Sequence, residues 1–337
     1  MSRERSTTMD FAKGLAILLM IHDHVQPLGL VITSFHMPLF FFVSGWFYCP
    51  TSLPRLAGKR AKGLLLPYLC YYVAFILVQG LELVFCPGML GLEETFPRGM
   101  ASEELLAFFF RAVGDMLVAN NCGLLWFLPC LFLVCILYAL LDRLPTPAKW
   151  VSICFCNLVG YLFRNSGGTE WWYADVALVS LVFYGVGYEG RKLLERQRVR
   201  KEASLDGVEG KRTVGIIILI VGALILWILA IRGGALSLAL RIYNAYPLCI
   251  IGAIAGTVCV ILVSHFLKYI PLLGTLVEYC GRNTLKILCL SNIIQKCMDW
   301  NELFHGWPLS CRFLLQVVVI LPIVGAWDAV KKRKESL

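Results

Sequence analysis

The chain has 337 residues, 58% of them apolar and 16% charged, with a mean hydropathy of +0.73. Soluble domains run at about 45–50% apolar and about 25% charged residues, so a soluble enzyme, a disordered chain and a coiled coil are excluded. The formal net charge is +9. The basic residues fall in short segments between apolar runs, which points to membrane topology and away from nucleic acid.

A membrane-spanning helix needs about 20 residues, so a chain of this length has room for about ten. The apolar runs lie at 10–31, 35–50, 64–86, 123–141, 148–163, 173–190, 213–231, 247–264, 284–300 and 310–328. Each is expected to be helical, because lipid offers open backbone groups no partner. Arg3 and Arg5 precede the first run as in a signal peptide. His22-Asp23-His24 interrupts that run and no small-residue cleavage site follows, so it reads as a retained first span. With the N-terminus in the cytoplasm, 24 basic residues lie on the cytoplasmic side and 7 outside. That asymmetry predicts an all-α, multi-pass protein of the bacterial cytoplasmic membrane, about ten spans with both termini cytoplasmic.

Several segments need their own reading. Residues 105–118 carry Arg111 and Asp115 one turn apart and are expected to form an interfacial helix with an exposed ion pair. The acidic loop 87–104 is expected outside. The basic connection 191–212 is expected to be a cytoplasmic loop drawn to anionic lipid headgroups. Ser291, Asn292, Gln295 and Lys296 are too polar to face lipid and should face protein or a wet cavity. The 14 cysteines sit mostly inside apolar runs. With no paired CxxC motifs they read as packing residues, and neither disulfides nor a metal are expected. Residues 1–337 read as one domain.

The first span carries the most unusual chemistry. A charge near the middle of a membrane helix costs about 2.5–3.5 kcal/mol and so needs a reason. Here there are Asp10, Lys13, His22, Asp23 and His24. At about 100° per residue, Lys13 and His24 point within about 20° of each other, and Asp10 lies within about 40°. Their rise of roughly 16 Å places His24 past the midplane if Lys13 sits at the cytoplasmic edge. A buried histidine suits a general base at neutral pH. His22 faces the other way. His36, at the start of the second run, lies at a depth that lets it face the outer part of the first, and Pro38 suits a first helical turn. Arg55, Lys59, Arg60 and Lys62 form a cytoplasmic basic cluster suited to phosphate.

The strings MDFAKGLAILLMIHDH, FHMPLFFFVSGWFY and KRAKGLLLPY, in this order, resemble the acyltransferase 3 family of membrane acyltransferases. The branch that includes fucose 4-O-acetylase and related O-acetyltransferases is the most similar. LLWFLPCLFL, VFYGVGYEGRK and GRNTLKILCL extend the resemblance over most of the chain. The family's first helix pairs a basic residue with a histidine after ten intervening positions, here Lys13 and His24. Lysine stands where much of the family has arginine and lacks the planar fork. Ser291 stands where many relatives carry histidine, so no role is carried over to it.

The resemblance implies transfer of an acyl group, usually acetyl, from cytoplasmic acyl-CoA to a hydroxyl of a cell-surface glycan or sugar precursor. No permanently bound cofactor is implied, acetyl-CoA being a substrate. His24 would be general base or acyl carrier, with Lys13, His36 and Asp23 beside it. Arg55, Lys59 and Arg60 would bind acyl-CoA, and Trp126 and Trp172 would stack on the acceptor. Partners are acyl-CoA, the glycan acceptor, membrane lipids and separate glycan-assembly proteins. A secondary transporter of a small polar or lipid-linked substrate is the competing reading, weakened by the lack of inverted repeats.

Overall fold

The computed structural model describes residues 6–25, 29–85, 102–120, 122–164, 171–202, 209–234, 236–296 and 304–335. Helices dominate. In chain order they are α1 (Thr7–Val25), α2 (Leu30–Thr33), α3 (His36–Trp46), α4 (Leu53–Arg60), α5 (Leu66–Phe85), α6 (Ser102–Val118) and α7 (Phe127–Leu141). Then come α8 (Thr146–Phe163), α9 (Ala174–Glu202), α10 (Glu209–Arg232), α11 (Leu248–Leu267), α12 (Leu273–Arg282), α13 (Thr284–Lys296) and α14 (Leu309–Glu335). A π turn over Ala61–Leu65 joins α4 to α5. The β-structure of the described residues is a two-residue antiparallel pair, β1 (Leu236–Ser237) with β2 (Ile242–Tyr243).

The chain is a helical membrane protein. Among the described residues, four helical stretches are long and apolar enough to cross a bilayer: Leu53–Leu81, Leu106–Leu141, Leu248–Leu267 and Leu309–Arg333. Three shorter apolar helices accompany them, Val31–Trp46, Leu219–Arg232 and Thr284–Gln295. Leucine and valine side chains stay exposed along these helices, as at Leu77, Leu117, Leu226 and Val318. An outer coat of this kind is stable only against hydrocarbon.

Most apolar runs coincide with a helix, and the differences are instructive. The segment 105–118 is helical as α6, and it packs lengthwise along α5. The Tyr68 hydroxyl donates to the Met116 carbonyl at 2.6 Å, the Tyr72 hydroxyl to the Asn120 carbonyl at 3.1 Å, and Gly80 lies against the Phe109 ring. Much of 191–212 is helix rather than loop, since α9 continues to Glu202 and α10 begins at Glu209. α12 occupies a stretch expected to be a connection. Residues 86–101 and 297–303, which hold most of the acidic loop and the end of the ninth run, lie outside the described residues.

α1 is the hub and touches α3, α11, α12, α13 and α14. Its closest partner is α12, and two glycines make that crossing possible. A Cβ on Gly281 would overlap the Asp10 carbonyl oxygen, and one on Gly14 would overlap the Val277 carbonyl oxygen. α3 crosses α9 in the same way, Gly45 against Tyr184 and Gly187 against Phe42. Small residues at such crossings let helices gain dispersion energy that lipid cannot supply.

Two buried ion pairs tie the outer helices. Lys149, 3% exposed, donates to Glu189 at 2.6 Å and Asp142 at 3.1 Å, joining α7, α8 and α9. Arg241, between the two short strands, holds Asp175 at the start of α9 through Nε at 2.5 Å and Nη2 at 3.2 Å. The Asp175 side chain is 1% exposed. Removing its partner strands a buried carboxylate, so Arg241→Ala should destabilise the protein by about 3 kcal/mol or more. Thermal unfolding in detergent reads this, and an unchanged midpoint would refute it.

Candidate active site

The helices around α1 enclose a cavity of about 240 Å³. Its wall on α1 is Lys13, Ile17 and Met20. These positions are spaced at i, i+4 and i+7, so they form one stripe, and His24 is the next position on that stripe. α3 contributes Met37, Phe40, Ser44 and Phe47, α7 contributes Phe127, Leu128 and Leu131, and α13 contributes Thr284, Leu285 and Leu288. Arg60 and Leu64 close it from the α4–α5 side.

The lining is graded. Lys13, Ser44, Arg60 and Thr284 are its polar members. They come from the start of α1, the end of α3, the end of α4 and the start of α13, and so gather at one end. The other end, at Met20, Met37, Phe127 and Leu288, is apolar. The volume holds about eight waters at roughly 30 Å³ each, or one slender chain. The two methionines give that end an adaptable surface.

At the polar end, Lys13 Nζ pairs with Asp10 Oδ1 at 2.8 Å, and the Asp10 side chain is 5% exposed. An ammonium has three donors, so the pair orients Lys13 without exhausting it. Arg60 is half-buried beside Tyr184 and Cys135, and its Nε is buried with no hydrogen-bond partner among the described residues. Arg55 and Lys59 lie on the exposed face of α4, outside the cavity wall. The structure therefore brings Lys13 and Arg60 to one cavity and leaves Arg55 and Lys59 outside its wall.

At the apolar end, His24 is exposed in the last turn of α1 and Asp23 is half-buried. His36 is buried at 9%, and its Nδ1 lies 2.8 Å from the Ile32 carbonyl. A carbonyl can only accept, so Nδ1 carries the proton and fixes the ring. Asp23 and His24 lie within electrostatic reach of it. His24 follows Met20 by one turn on α1 and His36 precedes Met37 on α3, so both lie just past the same end of the cavity wall without lining it. His22 faces away and packs on Phe313 of α14, ring centroids 5.0 Å apart.

The two tryptophans differ. Trp126 is 4% exposed and stacks on Tyr173 with centroids 4.8 Å apart, so its ring is committed to packing. Trp172 is half-buried, in a left-handed backbone conformation, and its Nε1 donates to the Leu117 carbonyl at 2.9 Å. Arg241 sits over the Tyr173 ring at 4.5 Å. The polar face expected on the ninth run is buried: Ser291 is 0% and Asn292 1% exposed. Among the described residues no three His, Cys, Asp or Glu side chains converge as metal ligands would.

A family model described as an acyltransferase domain matches residues 7–327. The chain belongs to the acyltransferase 3 family. Comparison with curated proteins and with solved structures returned no match. The match takes in α1 to α13 and most of α14, hence every residue of the cavity wall. In this acyltransferase Lys13, singled out from the sequence pattern, is in the cavity wall, whereas His24, expected to be buried, is exposed, and neither it nor His36 lines the wall. The pattern did not reveal Arg60 as the one cation of its cluster in the wall, nor the burial of Trp126. Both follow from contacts between helices distant in sequence, to which local patterns are blind.

Proposed function

We propose that this acyltransferase moves an acyl group, in the first instance acetyl, from cytoplasmic acyl-CoA to a hydroxyl of a cell-surface glycan or its precursor. The supporting observation is the cavity that follows the Lys13–Ile17–Met20 stripe, with cations at one end and His24 one turn beyond the other. In this reading the chain crosses the cell membrane about ten times with both termini in the cytoplasm, so the cationic end faces the donor pool. Short α1 and α3 leave the His24 end within reach of the far side.

The chemistry then follows from the residues. Lys13 and Arg60 neutralise donor phosphates, with Arg55 and Lys59 on the approach drawing the anion in. The uncharged arm of the donor fills the apolar cavity and brings its thioester to His24. His24 takes the proton of the acceptor hydroxyl as its oxygen attacks the thioester carbonyl. The C–S bond breaks, an O–C ester bond replaces it, and the coenzyme thiolate leaves with the proton held by the imidazolium. Asp23 stabilises that imidazolium, while His36 helps to fix the ring's surroundings. Trp172, the more exposed of the two tryptophans, offers a face to the sugar ring.

Purified protein in lipid nanodiscs, given radiolabelled acetyl-CoA and candidate glycan acceptors, tests the reading. Donor-dependent labelling of a glycan supports it. Transport of the acceptor with no labelling would overturn it. Within the same assay, replacing Arg55, Lys59 and Arg60 together by alanine should raise the donor KM at least tenfold with little change in kcat, since these groups bind without touching the reacting atoms. An unchanged KM would assign the cluster to topology alone.

A further inference from the structure

Immediately beyond the apolar end of the cavity lies a polar group that the scheme above does not use. Asn292 is one turn past Leu288 on α13, and Leu124 lies in the 3-10 turn Gly123–Trp126 that leads into α7, four residues before Leu128. Both leucines at positions 128 and 288 line the cavity. The Leu124 backbone N–H donates to Asn292 Oδ1 at 2.6 Å, so this bond joins α13 to the turn leading into α7 at that end.

The bond has a chemical consequence. An N–H can only donate, so Oδ1 is fixed as the oxygen and the amide cannot flip. The NH2 group is left as a donor in a set orientation. Asn292 is 1% exposed, and its Nδ2 is buried with no hydrogen-bond partner among the described residues. A buried donor without an acceptor is costly, and more so inside a membrane protein, where water is scarce. Ser291 beside it, 0% exposed, likewise has a hydroxyl with no partner there. Buried unsatisfied donors at the end of a substrate-sized cavity call for an acceptor brought by the substrate.

We propose that the Asn292 amide donates a hydrogen bond to the carbonyl oxygen of the donor thioester and to the oxyanion formed when the acceptor attacks. The inference rests on the acyl-CoA reading of the cavity. No covalent step passes through Asn292. It supplies a preorganised dipole where negative charge grows, and the Leu124 bond removes the cost of orienting it during the reaction.

The test is a binding comparison that needs no acceptor. Purified protein is titrated with coenzyme A, acetyl-CoA and S-ethyl-CoA, in which a methylene replaces the carbonyl. Wild type should bind acetyl-CoA roughly fivefold more tightly than S-ethyl-CoA, the ordinary net worth of one hydrogen bond. Asn292→Ala and Asn292→Leu should bring that ratio to about one while coenzyme A binds as before. The leucine variant keeps the shape of the side chain but has no donor. A wild type with no preference between the two thio derivatives overturns the inference, whatever the variants do. So does a variant that binds coenzyme A and keeps the preference. A wild type that binds none of the three overturns the acyl-CoA reading itself, a separate result.

Discussion

His24→Ala should leave a protein that inserts, folds and binds coenzyme A but transfers acyl groups roughly 10²–10⁴-fold more slowly, the usual worth of a positioned base. The structure makes this a clean experiment. His24 is exposed, in the last turn of α1, and contributes little packing. The contacts that hold α1 lie mainly elsewhere, at Asp10 and Gly14 against α12 and along the buried stretch that includes Ala16, Ile17 and Met20. Losing the imidazole therefore removes a proton acceptor at little cost in buried packing. His24→Gln should fail equally, because an amide matches the ring in polarity but cannot take a proton at neutral pH. His22→Ala is the control: that ring packs on Phe313, away from the cavity, and its loss should leave the donor KM unchanged. Incorporation from radiolabelled acetyl-CoA at wild-type rate in His24→Ala would remove the residue from the mechanism.

Gly281→Ala should be the most damaging methyl group that can be added at any of the described glycines. The added carbon would overlap the Asp10 carbonyl oxygen, and Gly14 stands against the same stretch of α12 from the other side. Backbone meets backbone here, so no side chain can swing aside. The two helices must separate, at a cost of about 3 kcal/mol on the scale of overpacked cores. The loss reaches function as well. Asp10 and Gly14 are the α1 residues at that crossing, and the 2.8 Å ion pair between Asp10 and Lys13 marks the polar end of the cavity. A lower thermal midpoint in detergent together with a raised donor KM is expected. Gly58→Ala, on α4 where nothing lies within 4 Å, should change neither. A Gly281→Ala protein as stable as wild type would show that the crossing is looser than described.

How much of this could be read from the amino acids alone depends on the range of the interaction. Long apolar runs became helices because a membrane permits little else, so α7, α8, α11 and α14 fall close to the expected segments. The shared face of Lys13 and His24 followed from 100° per residue, and the cavity stripe at Lys13, Ile17 and Met20 agrees with it. α12 was missed because its ten residues mix Glu278 and Arg282 with apolar positions and look like a connection. Its importance lies in Gly281, and a glycine's partner across a helix crossing leaves no local mark. Asp175 and Arg241 are separated by 66 positions, and no periodicity links them. Trp126 carries the composition of an acceptor-stacking residue, but its neighbour Tyr173 covers the ring.

The stripe on α1 has one more implication. Lys13 and His24 belong to a single rigid rod, roughly 16 Å apart along its axis. If the amine holds phosphate and the ring takes the proton, as proposed, that spacing is a gauge: a carrier whose arm matches it would deliver its carbonyl to the imidazole with its charged head still held. A shorter carrier would have to give up one grip or the other, and the pitch of one helix would then discriminate among thioesters.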